Sequence, residues 1–198
     1  MVVAAGIAVA MGMAPAVGLP SGTIGAGAPP ASTMIKAQTK TTKVKANLDG
    51  VKVRWQRKGY RVNLHGDPAF DCAAHSYGQV HDFFISHRCE FVLRATGEFH
   101  DKNRNVVLVA FSWVEMPMTG EAVKLKKLVD TEGTGNITEL SREQGRYRAV
   151  RFTGLGYHSG HSEQGVWNVQ VQPVGWSPAA ALINEISDEV IAAGIENT

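Results

Sequence analysis

Cysteine is scarce in this chain, with only Cys72 and Cys89 among 198 residues. No C-x-x-C exists, so a local dithiol redox centre and a paired-cysteine zinc site have no sequence support. G-x-S-x-G, H-E-x-x-H and G-x-G-x-x-G are missing too. The signatures of a nucleophile-elbow hydrolase, a zinc protease and a dinucleotide fold are therefore absent. A net charge of +2 is too small to argue for nucleic acid, and no such partner is expected. Acidic residues nearly vanish between Lys36 and Arg61, where Asp49 stands against nine lysines and arginines. Such asymmetry marks either a solvated basic face or a polyanion contact, with Lys43, Lys45, Lys52 and Arg54 as the contact residues.

Charge is also lacking from Val2 to Leu19, a run rich in Ala and Gly. About 18 apolar residues is the lower limit for a spanning helix. Ala14-Pro15-Ala16 offers the small residues that a signal peptidase reads, although no basic stretch precedes the run. We read residues 1–20 as a signal or membrane anchor and the protein as extracytoplasmic, secreted or anchored through this segment. Residues 21–40, rich in Pro, Gly, Ser and Thr at their start, read as a flexible linker. A single domain is expected over 41–194, with a short tail at 195–198.

Within the domain, apolar and charged residues alternate on both sides of Asn47-Leu48-Asp49-Gly50. That pattern predicts an N-terminal hairpin with Asp49-Gly50 in its turn. A third strand follows at 60–64, and Pro68 breaks the meander. Residues 74–86 read as a helix with Ala74, Tyr77, Val80 and Phe84 on one face. Two strands follow, joined through 100–104, and the all-apolar Val106–Val114 is expected at the centre of the sheet. Thr119 is expected to cap a helix ending at Asp130, with Ala122, Val123, Leu128 and Val129 inward. A second strand pair at 145–154 and 165–173 encloses a loop at 155–164. Ser177-Pro178 opens a last helix with Leu182, Ile183, Ile186 and Val190 as its stripe. The fold class is α+β, with a largely antiparallel sheet, helix-strand-strand repeated twice, an N-terminal hairpin or meander and a C-terminal helix.

The densest chemistry is the stretch CAAHSYGQVHDFFISHRC at 72–89. In an exported chain two cysteines favour a disulfide. A continuous helix across the stretch would part them by about 25 Å, so pairing requires the chain to fold back. His75, His81 and His87, six residues apart, cannot converge from one helix. No bound metal or cofactor is expected. His158 and His161, with Glu163, sit in a loop that could bend two imidazoles together, making this the candidate ligand or metal loop. Asp130–Asn136 looks like a phosphate loop but follows a helix instead of preceding one, so it reads as a glycine stop and a turn. Core packing is the default for the tryptophans.

In FDCAAHSYGQVHDFFISHRCEF, VLVAFSWVEMP and GTGNITELSREQGRYRAVRFTG, taken in that order, the chain resembles small exported or membrane-anchored actinobacterial proteins of uncharacterised activity. The likeness covers roughly residues 44–193. It implies a membrane segment ahead of a soluble domain and carries over no catalytic residue. The expected function is a non-catalytic, envelope-associated binding or accessory domain, partnered by an envelope protein or polymer. The alternative is a small-ligand-binding or hydrolytic enzyme with a pocket near 157–163.

Overall fold

The computed structural model describes residues 28–195, so the apolar segment read as a signal or anchor lies outside the described residues. Among the described residues, no helix is long and apolar enough to cross a membrane. The fold is α+β, one five-stranded antiparallel sheet with helices on both faces.

The sheet is built around β3 (Val106–Glu115), where all ten residues are buried. Its neighbours are β2 (Phe91–His100) and β5 (Gly165–Val174). The edges are β1 (Arg61–Ala69) beside β2 and β4 (His158–Ser162) beside β5. Pro68 does not break β1 but pairs opposite Leu93. An edge strand tolerates a missing N–H.

The N-terminal hairpin is not formed. Residues 31–57 make a single helix, α1 (Ala31–Arg57), which also takes in residues 31–40 of the expected linker. The buried set Ala37, Thr41, Val44, Leu48, Val51 and Trp55 recurs at steps of three and four, the period of a helical face. Lysines interleaved with valines mimic strand alternation over the same stretch, but a hairpin would bury Ala46 beside Val44 and Val53 beside Val51, and both are exposed. Trp55 meets Tyr60 and Phe99 edge-on at 4.9 and 5.3 Å. The last helix, α5 (Ala180–Ile195), lies beside α1 on the same sheet face and buries Ile183, Ile186 and Val190. Asn47 donates to the Ala193 carbonyl across the helix pair at 3.0 Å. Exposed pairs such as Arg54–Glu189 and Lys58–Glu185, each at 2.8 Å, add only about 0–1 kcal/mol apiece.

The opposite face carries α2 (Gln79–Ser86), α3 (Thr119–Val129) and the one-turn α4 (Leu140–Glu143). The helix expected over 74–86 starts only at Gln79, after Gly78 turns the chain at φ 66°. Val80 and Phe84 are buried, whereas Tyr77 precedes the helix and is exposed. This short helix lets the flanking segments return, and Cys72 and Cys89 form a disulfide with Cα atoms 6.2 Å apart. Met118, not Thr119, is the N-cap of α3, and Val123 is exposed while Leu125 takes the inward place. The strand expected at 145–154 is absent: these residues form turns, with Gly145 and Gly154 both at φ +81°. Instead, the expected loop supplies β4, which pairs with β5.

A short cross-connection locks this face together. Tyr77 N–H donates to Asn136 O at 3.0 Å, Gln79 N–H to Thr134 O at 2.7 Å, and Thr138 N–H to His75 O at 2.8 Å. The glycines that suggested a phosphate loop serve this contact. Gly135 sits at φ +101°, and a Cβ there would collide with the Tyr77 carbonyl oxygen.

Candidate functional site

Where α1 crosses the end of the sheet, a cleft of about 350 Å³ opens between the helix and the β4–β5 turn. Its helical wall is Lys36, Thr39, Lys40 and Lys43. Steps of four and three put the three lysines on one stripe of α1. The sheet contributes Phe91, Trp113 and Glu115, and the turn contributes Ser162, Glu163 and Gln164. A volume of this size is within the range of small-molecule sites.

Lys40 is the unusual group. It is 9% exposed, and its ammonium has no hydrogen-bond partner. The ammonium lies 3.2 Å from the centroid of the Trp113 ring. Trp113 is fixed from two sides. Its indole N–H donates to Glu115 Oε2 at 2.8 Å. Its benzo ring covers Gly165, where any Cβ would strike the ring atoms. Glu115 also holds Lys36 Nζ at 2.9 Å, and Lys36 bonds Glu90 at the same distance. Burial pushes the Lys40 amine down to about 8, with Lys43 adding to the fall and Glu115 opposing it.

The sign of the consequence is fixed. A lysine whose folded pKa lies below its unfolded value carries a stability penalty that is complete below the folded value. The penalty disappears as pH rises from about 8 to 10.5. Lys40→Met should therefore be the more stable protein at pH 7, and its advantage should shrink by about 1 kcal/mol by pH 10, after allowance for the attraction of the Trp113 ring. Urea unfolding of both proteins at the two pH values measures this, and a gap independent of pH would exclude a buried ammonium.

The turn that closes the cleft is strained. Glu163 occupies φ +50°, a conformation uncommon for a non-glycine residue. It is held there because Met116 N–H donates to Gln164 O at 2.9 Å and the Gln164 amide donates to Pro117 O at 2.8 Å. Strained backbone of this kind concentrates at functional sites.

The expected site residues divide. Glu163 and Lys43 line the cleft. His158 and His161 do not, because both lie on β4, are exposed and are three residues apart, which sends their side chains to opposite faces of the sheet. Lys45, Lys52 and Arg54 stand elsewhere on α1. In a hairpin the four basic residues would share one face, but helical geometry groups Lys43 with Arg54 and puts Lys45 and Lys52 on the other side. Lys45 approaches Asp67 at 3.9 Å and Arg54 bonds Glu189. Among the described residues, no three His, Cys, Asp or Glu side chains gather as a metal site. His75 bonds Glu143, His81 bonds the Ala73 carbonyl, and His87 stacks on Phe83 at 4.4 Å between centroids.

A second polar cluster, on the opposite face, reads as a clamp. Arg94 is 4% exposed and grips Glu143 with two hydrogen bonds of 2.7 and 2.9 Å. Arg94 Nη1 also donates to the Thr138 carbonyl at 3.1 Å. Arg94 holds the Glu143 carboxyl below the usual glutamate range, with His75 adding to the effect. The pair anchors α4 to β2.

Sequence reasoning missed Lys36, Lys40, Trp113 and Glu115 as a site. The available signal was the lysine stripe at 36, 40 and 43, which becomes a stripe only once the segment is read as a helix. No protein family, curated protein or solved structure matches the chain.

Proposed function

We propose that this chain is a non-catalytic binding domain that works outside the cytoplasm, secreted or tethered by its apolar N-terminal segment, with its ligand in the cleft between α1 and the β4–β5 turn. The observation that carries this reading is the Lys40 ammonium, buried without an acceptor at the wall of that cleft. A cation in that state costs stability, and a desolvated charged group at the wall of a cleft marks a candidate functional site. The Cys72–Cys89 bond supports an oxidising compartment. The envelope association implied by the actinobacterial resemblance agrees with that location. A hydrolytic reading of residues 157–163 has less support: Ser159 donates to the Asp130 carboxylate, but that carboxyl, despite its burial, is held low by Lys126 and Ser159 and is a weak base, and the two imidazoles point apart.

Two measurements test the proposal. Thiol alkylation of the protein in fractionated native cells should leave Cys72 and Cys89 unmodified until reductant is added, and the protein should be in the envelope or medium. Among small organic molecules titrated into the oxidised full chain, some should shift the backbone amides of 113–115 and 162–164. Cytosolic protein with two alkylated thiols would overturn the location, and a cleft that responds to no molecule would overturn the binding role.

A further inference from the structure

We infer that the cleft is a site for a small organic monoanion, its carboxylate set on Lys40 and its apolar body against Phe91 and Trp113. The inference rests on the binding reading above and names the ligand's chemistry.

Charge selects the sign. The lining residues carry three ammonium groups against the carboxylates of Glu115 and Glu163. Glu115 is already engaged, accepting from the Trp113 indole and pairing with Lys36. Lys36 is in turn shared with Glu90. Lys40 is the charged lining group whose ammonium meets no acceptor. A single negative charge matches it. A phosphate dianion would bring its second charge against Glu115 and Glu163, and like charges in a partly desolvated cleft repel strongly. A cationic ligand is disfavoured as well, because Lys36, Lys40 and Lys43 in the lining would repel it.

Shape selects the rest of the molecule. Trp113 cannot swing away from the cleft without losing its bond to Glu115 or its seat over Gly165. Phe91 is paired with Glu115 in the β2–β3 register, so the two rings and the carboxylate occupy one end of one sheet face. A rigid aromatic wall beside one unanswered cation fits an aryl or acyl chain ending in a carboxylate. Phe91 and Trp113 are almost fully buried, so the ligand's apolar body meets only their rims together with the lysine stems of α1, while the charge fixes orientation. A hydrogen bond between two ionised groups, shielded from water, is about twice as strong as a neutral one.

The experiment uses the oxidised full chain and three probes: 3-phenylpropionate, its neutral amide 3-phenylpropionamide, and inorganic phosphate. Backbone amide shifts at 113–115 and 162–164 report binding at the cleft. The carboxylate should bind about tenfold more tightly than the amide, and phosphate more weakly than either. Lys40→Met should lose the preference for the carboxylate while keeping a thermal midpoint at or above that of the parent. Lys40→Gln, which retains a donor without the charge, should lose it too, and Lys52→Met should leave it intact. Equal affinity for carboxylate and amide overturns the anion class but leaves the binding role standing. A preference that survives in Lys40→Met or Lys40→Gln, or tighter binding of phosphate, also overturns the anion inference. Silence from all three probes at these amides overturns this inference; the role itself falls only if the wider titration is silent as well.

Discussion

Gly135→Ala should cost about 4 kcal/mol or more and leave little folded protein at 37 °C. Two effects add at this position. At φ +101° an L-residue is strained by about 1–3 kcal/mol. The new methyl would also strike the Tyr77 carbonyl, which is backbone and cannot rotate aside. Relief requires residues 75–79 and 134–138 to separate, breaking the bonds from Tyr77 to Asn136 and from Gln79 to Thr134. Gly78, at φ 66°, faces the same contact from the other side, where its Cβ would lie 2.6 Å from Thr134 O. Gly133→Ala is the control. Gly133 has φ +81°, but a methyl placed there would meet no atom within 4 Å, so only the backbone cost of about 1–2 kcal/mol should remain. Urea midpoints for the two variants separate the effects. Equal losses would mean that the crossing of the two segments contributes nothing.

Removing the disulfide should cost about 3 kcal/mol. The bond closes a sequence separation of 17, and the constraint falls mainly on the unfolded chain. Cys72 is 3% exposed among Val80, Phe84 and Ala122, so Ala at both positions keeps the site apolar. The double variant Cys72→Ala/Cys89→Ala should unfold at lower urea and be insensitive to reductant. The parent protein with reductant should fall to nearly the same midpoint. Hydrogen exchange should rise chiefly over residues 79–86, because α2 hangs between the two cysteines, while β2 and β3 stay protected. Unchanged midpoints with and without reductant would sink the prediction.

The legible parts of this fold are those where one physical signal dominates. The run from Val106 to Val114 has no polar alternation to confuse it, and it is the central strand. Ile183, Ile186 and Val190 keep a clean helical step and form the inward face of α5. Residues 43–55 send two signals at once. Lysines beside Val44, Val51 and Val53 imitate a strand, and Asp49-Gly50 imitates its turn. Leu48 and Trp55, four residues beyond Val44 and Val51, fit either period; the exposure of Ala46 and Val53, which a hairpin would bury beside them, decides for the helix. Residues 145–154 fail in the opposite sense. Their alternation is strand-like, but β4 takes the edge beside β5, so they turn across the surface. The cleft inherits the first error. Lys43 and Glu163 are visible as charged residues, but Lys40 beside Trp113 exists only where α1 lies on the sheet.

The order of strands has a consequence in time. β3 is flanked by β2, which immediately precedes it, and by β5, which is completed only at Val174. Among the described residues, the first helix, α1, packs on the last, α5. While the chain is being made, Val44, Leu48, Val51 and Trp55 therefore emerge long before α5 can cover them. β1, β2 and β3 can assemble as neighbours, yet one flank of β3 stays bare until β5 has been made. Closing these distant contacts is slow, and apolar surface exposed in the interval is what chaperones bind.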